Sequence, residues 1–318
     1  MLVSPAEASA TIAQHLPKMP IEDCGVEHAH GRILCAPIVA DRPMPAFDRV
    51  TMDGYAVKAA DWTTDPTIKL GVTGFQAAGM IAHTLSAPAS AIEIATGAVL
   101  SEGADAIVPY EDVDRDGDQI RLRNGAPCVA GQNIHRCGSD CAAGKALVSS
   151  GIMLTGREIA VAASTGSARV QVSARPSIAV VATGDELIDV GTPQIAPHQI
   201  RKSNDYALRA ALTQSSLAGH IERFHLRDHR TEIEASLRHI LAKFDVVILT
   251  GGVSKGKKDH VPEVLAELGA IERLRGVAQR PGKPLWFGTT PRNTPIFALP
   301  GNPVSTYTCL HRYVMPAL

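Results

Sequence analysis

No stretch of this chain holds the roughly 20 consecutive apolar residues that a membrane-spanning helix needs. Charge of one sign does not prevail either: 31 Lys and Arg residues stand against 32 Asp and Glu residues, a formal net charge of −1. Such a balance lacks the global field that draws proteins to nucleic acids or anionic membranes, although local patches can still be strongly charged. Cysteine is sparse. Cys24, Cys35, Cys128, Cys137, Cys141 and Cys309 are scattered, too thin for a disulfide scaffold and suited to a reduced, cytoplasmic protein. Cys137 and Cys141, with His135 and Asp140 nearby, match no common zinc spacing, so an ordinary loop is the better reading. The opening residues, Met1-Leu2-Val3-Ser4-Pro5-Ala6-Glu7, lack the basic and then apolar layout of a signal peptide. There is no internal repeat and no low-complexity run.

What is present is a chain of 318 residues, 45% hydrophobic and 20% charged. That suffices for about two domains, or three small ones, around sizeable cores. Ser4-Pro5-Ala6-Glu7 spells a helix start, with a capping serine, proline at the first position and glutamate at the third. Ala8, Ile12 and Leu16 continue it as a four-residue stripe, and Pro17 and Pro20 stop it. Between 41 and 141 the texture is of short alternating runs, at 67–72, 92–94 and 119–122, punctuated by Gly, Pro and Asp. This predicts a small, mostly β lobe. A helix over 155–167 leads to a strand over 168–172, and Arg175-Pro176 marks a second boundary.

Beyond it, apolar strands over 178–182, 221–226, 245–250, 285–287 and 296–299 alternate with helices over 203–213, 232–243, 261–268 and 303–314. That pattern predicts an α/β domain over 176–318, its mostly parallel sheet covered on both faces. The expected molecule has three lobes. Residues 1–40 and 142–175 form a linker lobe, 41–141 the β-rich lobe and 176–318 the α/β domain. Thr183-Gly184-Asp185-Glu186, Thr250-Gly251-Gly252-Val253-Ser254 and Pro300-Gly301-Asn302-Pro303 each follow a strand directly. Open α/β sheets bind ligands beyond the carboxyl ends of their strands, so three such turns on one edge would build a single pocket.

The segment 249–260, Leu-Thr-Gly-Gly-Val-Ser-Lys-Gly-Lys-Lys-Asp-His, has the glycines that let backbone N–H groups approach an oxyanion. A helix start after His260 would aim its dipole there. Lys258 stands where a nucleotide triphosphatase loop carries Ser or Thr for Mg²⁺, which argues against that enzyme. A glycine turn with solvated lysines is the plainer alternative. Arg280-Pro281-Gly282-Lys283-Pro284 mounts two cations on a stiff turn. It suits a small tetrahedral oxyanion because little side-chain entropy is lost on binding, or it is a surface turn. Asp53, Asp140, Asp185, Glu186, Asp228 and Asp259 sit in loops beside glycine, arginine or histidine. Carboxylates beside anion loops suit a divalent cation bridging protein and phosphate, yet any one aspartate alone is more often a turn-former or helix cap.

Taken in order along nearly the whole chain, these segments resemble one family, the molybdopterin molybdenumtransferases of the MoeA and gephyrin E-domain type. The resemblance rests on 47–56, with Thr51-Met52-Asp53-Gly54-Tyr55-Ala56 at its centre, on Thr96-Gly97-Ala98, and on Gly131-Gln132-Asn133-Ile134 leading to Asp140. It continues through Thr183-Gly184-Asp185-Glu186-Leu187, Ser203-Asn204, Arg227-Asp228, and Ser254 and Asp259 around the glycine loop. Pro281-Gly282-Lys283-Pro284 and Pro300-Gly301-Asn302-Pro303-Val304-Ser305 complete it.

The resemblance implies a MoaB/Mog-like molybdopterin-binding α/β domain and a transferase of molybdenum cofactor biosynthesis. Such an enzyme takes adenylylated molybdopterin and molybdate, uses Mg²⁺, releases AMP and works as a homodimer with a shared cleft. A molybdopterin adenylyltransferase acts upstream and molybdenum enzymes downstream. By this likeness Gly251, Gly252, Val253 and Ser254 hold the terminal phosphate of the pterin. Thr96, Thr183, Gly184, Asp185, Ser203, Asn204, Pro300, Gly301 and Asn302 complete its site. Arg280, Lys283 and Ser305 hold molybdate. Asp53, Asp140, Glu186, Asp228 and Asp259 are the catalytic carboxylates, with Asp140 and Glu186 on the metal.

The chain departs from the family pattern in three places. His135-Arg136-Cys137-Gly138-Ser139-Asp140 stands where Arg-Arg-x-Gly-Glu-Asp is common, one cation and one carboxylate fewer. Arg280 stands where lysine is usual. The sequence stops at Leu318, where the family commonly continues into a small C-terminal β domain. These departures keep a second expectation open, a non-catalytic molybdopterin carrier or storage protein.

Overall fold

The computed structural model describes residues 2–252 and 260–318. Its internal contacts divide it into two compact units. One comprises Met1–Cys24, Gly31–Cys35 and Gln171–Leu318, the other Gly25–His30 and Ala36–Val170.

The chain opens with helix α1 (Pro5–Gln14). Ser4 Oγ accepts from Glu7 N at 3.2 Å and Glu7 Oε2 accepts from Ser4 N at 2.7 Å, the reciprocal cap that the four opening residues spell. Ala8 and Ile12 are buried in one core with Ile178, Leu208 and Val246. On sequence alone 1–40 groups with a linker lobe; in the structure the apolar stripe of α1 belongs to the core of the α/β unit.

The β-rich unit is built on β1 (Gly54–Val57), β2 (Lys69–Gln76), β3 (Ser90–Ile94), β4 (Ala106–Pro109), β5 (Val113–Asp116) and β6 (Gln119–Leu122). They form one six-stranded sheet in the order β4-β1-β3-β2-β6-β5. Only β2 and β3 run parallel. Helix α2 (Ala59–Thr64) follows β1 and α3 (Gly156–Ser164) lies late in the unit. Alternate side chains of β1 enter different cores: Tyr55 and Val57 meet Trp62, Leu70 and Ile120, whereas Ala56 meets Ile92, Ile94 and Ile107.

The α/β unit has strands β7 (Ser177–Thr183), β8 (His220–Leu226), β9 (Val246–Thr250), β10 (Ile271–Arg275), β11 (Trp286–Thr289) and β12 (Pro295–Leu299). Its helices are α4 (Asn204–Ser215), α5 (Arg230–Lys243), α6 (Val261–Glu267) and α7 (Pro303–Cys309). The sheet order is β8-β7-β9-β12-β11-β10. The first four strands are mutually parallel; β11 runs antiparallel to β12, and β10 antiparallel to β11. Ile178 and Val180 of β7 face the core beneath α1, α4 and α7, while Ala179 and Val181 face that beneath α5 and α6. Each aliphatic side chain so buried contributes about 2 kcal/mol, and burial on both faces explains why β7 and β9 read as unbroken apolar runs. The last helix leaves α geometry at Cys309 and continues as a π-helical turn over Leu310–Val314.

Candidate functional site

Register places the three strand-end turns together. Ala182 of β7 pairs with Thr250 of β9, and Thr250 pairs with Leu299 of β12. The segments that follow leave the same carboxyl edge of adjacent strands, the edge that binds ligands in open α/β sheets. They enclose a cleft of about 120 Å³ whose walls include Thr183, Glu186, Ser203, Asn204, Thr250, Gly251 and Gly301.

Close approach of backbones demands the glycines there. Gly251 has φ +88°, and a Cβ on it would lie 2.8 Å from the carbonyl oxygen of Thr183. At Gly252, with φ +63°, a Cβ would lie 2.6 Å from Thr183 Oγ1. Asn204 ties the turns to one another. Its Nδ2 donates to Thr250 Oγ1 at 2.9 Å and to the carbonyl of Gly301 at 2.8 Å. Thr183 Oγ1 is buried and has no hydrogen-bond partner among the described residues. An unpaired buried hydroxyl costs about 1–3 kcal/mol, which makes this one a candidate ligand contact in the cleft wall.

The remaining predicted residues of this unit divide. Asp185 and Asp228 join two loops: Asp228 N donates to Asp185 Oδ1 at 3.1 Å and Asp185 N to Asp228 Oδ2 at 3.4 Å. Each carboxylate therefore serves as a turn-former and keeps one oxygen outside this exchange. The Glu186 carboxylate makes no hydrogen bond or ion pair among the described residues and lines the cleft. Asn302 caps α7, its Oδ1 accepting from Ser305 N at 3.1 Å and Ser305 Oγ at 3.4 Å. Val253, Ser254 and Asp259 lie outside the described residues.

Arg280 and Lys283 are absent from the cleft wall, yet register places their turn on its edge. Arg275 of β10 pairs with Trp286 of β11, and Trp286 with Ala298 of β12. The 276–285 connection therefore leaves the sheet beside Leu299 and Pro300. Gly282 is buried at its apex with φ +94°, where a Cβ would meet Cys309 Sγ of α7 at 2.7 Å. Both cations are exposed and make no ion pair among the described residues.

Two polar contributors were not singled out from sequence, Lys202 and Asp205, while Thr250 entered only as the first residue of its strand-end turn. Lys202 Nζ donates to Asp189 Oδ2 at 3.2 Å. Tyr206 OH donates to Asp189 Oδ1 at 2.8 Å. The Tyr206 hydroxyl, then Lys202 and the Val190 amide, hold the Asp189 carboxyl down at about 2. Asp205 is buried and pairs with Arg223 Nη1 at 2.9 Å, and that guanidinium lies 3.6 Å over the Tyr206 ring. The basic residue just before Ser203-Asn204 was the available signal for Lys202.

In the β-rich unit, Asp53 and Thr96 meet: Asp53 Oδ1 accepts from Thr96 N at 2.6 Å. The Thr96 amide, then its hydroxyl, holds the exposed Asp53 carboxyl below its ordinary range. Asp140 lies at the end of a clamped loop. Asp48 accepts from Cys137 N at 2.8 Å and from Arg136 Nη1 at 2.6 Å, and Asp140 N donates to the Met44 carbonyl at 2.9 Å. The Cys137 amide is the main cause of the lowered Asp48 pKa.

Comparison with known proteins agrees with this architecture. Residues 3–166 match the family described as MoeA N-terminal region (domain I and II), and residues 179–318 match a probable molybdopterin binding domain. A molybdopterin molybdenumtransferase of Synechocystis is 36% identical over 99% of this chain and 80% of its own length. One from Nostoc is 34% identical over 91% of this chain and 67% of its own length. The crystal structure of a molybdopterin biosynthesis MoeA protein from Pyrococcus horikoshii superposes with a TM-score of 0.81 at 31% identity, over all of this chain and 79% of that one. No helix among the described residues is long and apolar enough to cross a membrane. The chain belongs to the molybdopterin molybdenumtransferase (MoeA) family.

Proposed function

We propose that this protein transfers molybdenum from molybdate to adenylylated molybdopterin, with release of AMP. The observation that supports it best is the cleft of three strand-end turns, with a Thr183 hydroxyl in its wall that has no partner among the described residues. In this reading Gly251 and Gly252 bring backbone donors to the terminal phosphate of the pterin. Thr183, Ser203, Asn204 and Gly301 contact the pterin part. Arg280 and Lys283 offer positive charge to molybdate from the same edge, with Ser305 in the first turn of α7.

Splitting the phosphoanhydride is mainly electrostatic work, because charge spreads over phosphate oxygens as the bond breaks. Asp53 and Asp140, fixed in the β-rich unit, are assigned to orienting the nucleotide or the attacking oxygen. Glu186, Asp228 and Asp259 are assigned to the α/β side. Mg²⁺ belongs to the reading as the counter-ion that polyphosphate chemistry favours. Among the described residues no three metal-ligating side chains meet, so no step is routed through it. A homodimer is the assembly proposed, and the cytoplasm the compartment.

The test is AMP release by purified protein given adenylylated molybdopterin, Mg²⁺ and molybdate. Release that requires molybdate supports the transferase. Tight pterin binding without AMP release would make the protein a carrier.

A further inference from the structure

We infer that Arg49 and His135 form a positioning pair that sets the orientation of the Asp140 carboxylate. The inference rests on Asp140 taking part in the proposed reaction. Arg49 and His135 face each other across a two-strand ribbon in which Arg49–Val50 pairs antiparallel with Ile134–His135. Arg49 Nη2 lies 3.2 Å from His135 Nδ1, and His135 Nε2 lies 2.7 Å from Asp140 Oδ1.

The chemistry of the three groups fixes the direction of both bonds. A guanidinium carries donors only, so Nδ1 must offer its lone pair. The ring proton is then on Nε2 and donates to Asp140 Oδ1. Ser139 Oγ reaches the same oxygen at 3.4 Å. Every side-chain donor therefore converges on Oδ1, while Oδ2 has no partner among the described residues. The backbone is held independently, since the amides of Asp140 and Cys141 both donate to the Met44 carbonyl. Main chain and one carboxylate oxygen are thus both pinned. The carboxylate cannot rotate freely, although its side chain is 58% exposed. The free oxygen is left at one orientation, as a base, a water-holder or a ligand requires.

The pair is a positioning device because neither residue needs to touch substrate. In the AMP-release assay, Arg49→Ala and His135→Ala should each lower kcat by about 10- to 100-fold, the usual range for partners that orient a functional carboxylate. KM for the pterin should move less than about threefold. His135→Gln, whose amide can still donate to Oδ1, should recover most of the rate. In an Asp140→Ala background, His135→Ala should add no further loss. ¹⁵N NMR of the His135 ring should show the Nε2–H tautomer in the unsubstituted protein and a mixture in Arg49→Ala. Thermal midpoints identify any variant that fails to fold, and the glutamine variant and the ring spectrum still decide the matter. Full kcat in a folded His135→Ala protein, with Asp140→Ala inactive, would overturn the positioning inference alone. Full activity in Asp140→Ala would remove Asp140 from the reaction and the inference with it.

Discussion

Asn204 and Thr250 stand 46 residues apart in sequence, and the Asn204 amide donates to the Thr250 hydroxyl at 2.9 Å while also holding the Gly301 carbonyl. One side chain thus fastens the ends of β9 and β12 to the start of α4. Asn204→Ala should cost about 1–3 kcal/mol of unfolding free energy, since the buried Thr250 hydroxyl loses a donor. Pterin affinity should fall with it. Denaturant titration and ligand binding on the same variant check both, and an unchanged midpoint would show that the clasp carries no weight.

Thr183 separates a folding role from a binding role. Its Oγ1 is buried without a partner among the described residues, so Thr183→Val, which keeps the shape and removes the hydroxyl, should leave stability equal or raise it by about 1 kcal/mol. If the hydroxyl meets substrate, the same variant should weaken pterin binding about tenfold. Equilibrium binding should therefore weaken while calorimetric melting holds or rises. Loss of stability without loss of affinity would assign Thr183 to folding.

The turn that carries Arg280 and Lys283 should act on the metal oxyanion rather than on the pterin. Lys283→Ala is expected to raise the molybdate KM about tenfold or more while pterin affinity changes by less than about threefold, because an exposed lysine contributes a point charge and little packing. Molybdate titrations of AMP release measure the first, and direct pterin binding measures the second. An unaltered molybdate dependence would remove this turn from the site.

Asp189 gives a pH signature. Its folded pKa of about 2 lies below the ordinary carboxylate value of about 3.9, so the unfolded chain takes up the proton first. The stabilisation is complete above the ordinary range and is lost as pH falls toward 2. Wild type should therefore melt above Asp189→Asn at pH 5–6, with the gap closing as the pH drops toward about 2. A gap that stays constant over that span would mean that Tyr206 and Lys202 do not hold the carboxylate.

Much of this architecture was legible because its signals are local. The Ser4-Pro5-Ala6-Glu7 cap and the stripe of Ala8 and Ile12 define α1 without tertiary information. Ile233, Leu237, Ile240 and Leu241 of α5 are buried, as their spacing predicts. β10 escaped because Leu274 is its one buried residue, which leaves a polar edge strand with no apolar run to notice. The turn from α to π geometry after Cys309 has no sequence punctuation either. At the site, glycines after strands marked the cleft, since a crowded backbone excludes Cβ atoms whatever the ligand. Asn204–Thr250, Arg49–His135 and Lys202–Asp189 could not be read in the same way. Each bond depends on which strands become neighbours, and register decides that only once the sheets have formed.

The most direct measurement counts two products in one reaction, AMP released and molybdenum bound to the pterin dithiolene. The account predicts about one of each per turnover, both dependent on added molybdate, and neither from a folded Asp53→Ala protein. AMP released at an equal rate without molybdate, or pterin held with no AMP released, would contradict it.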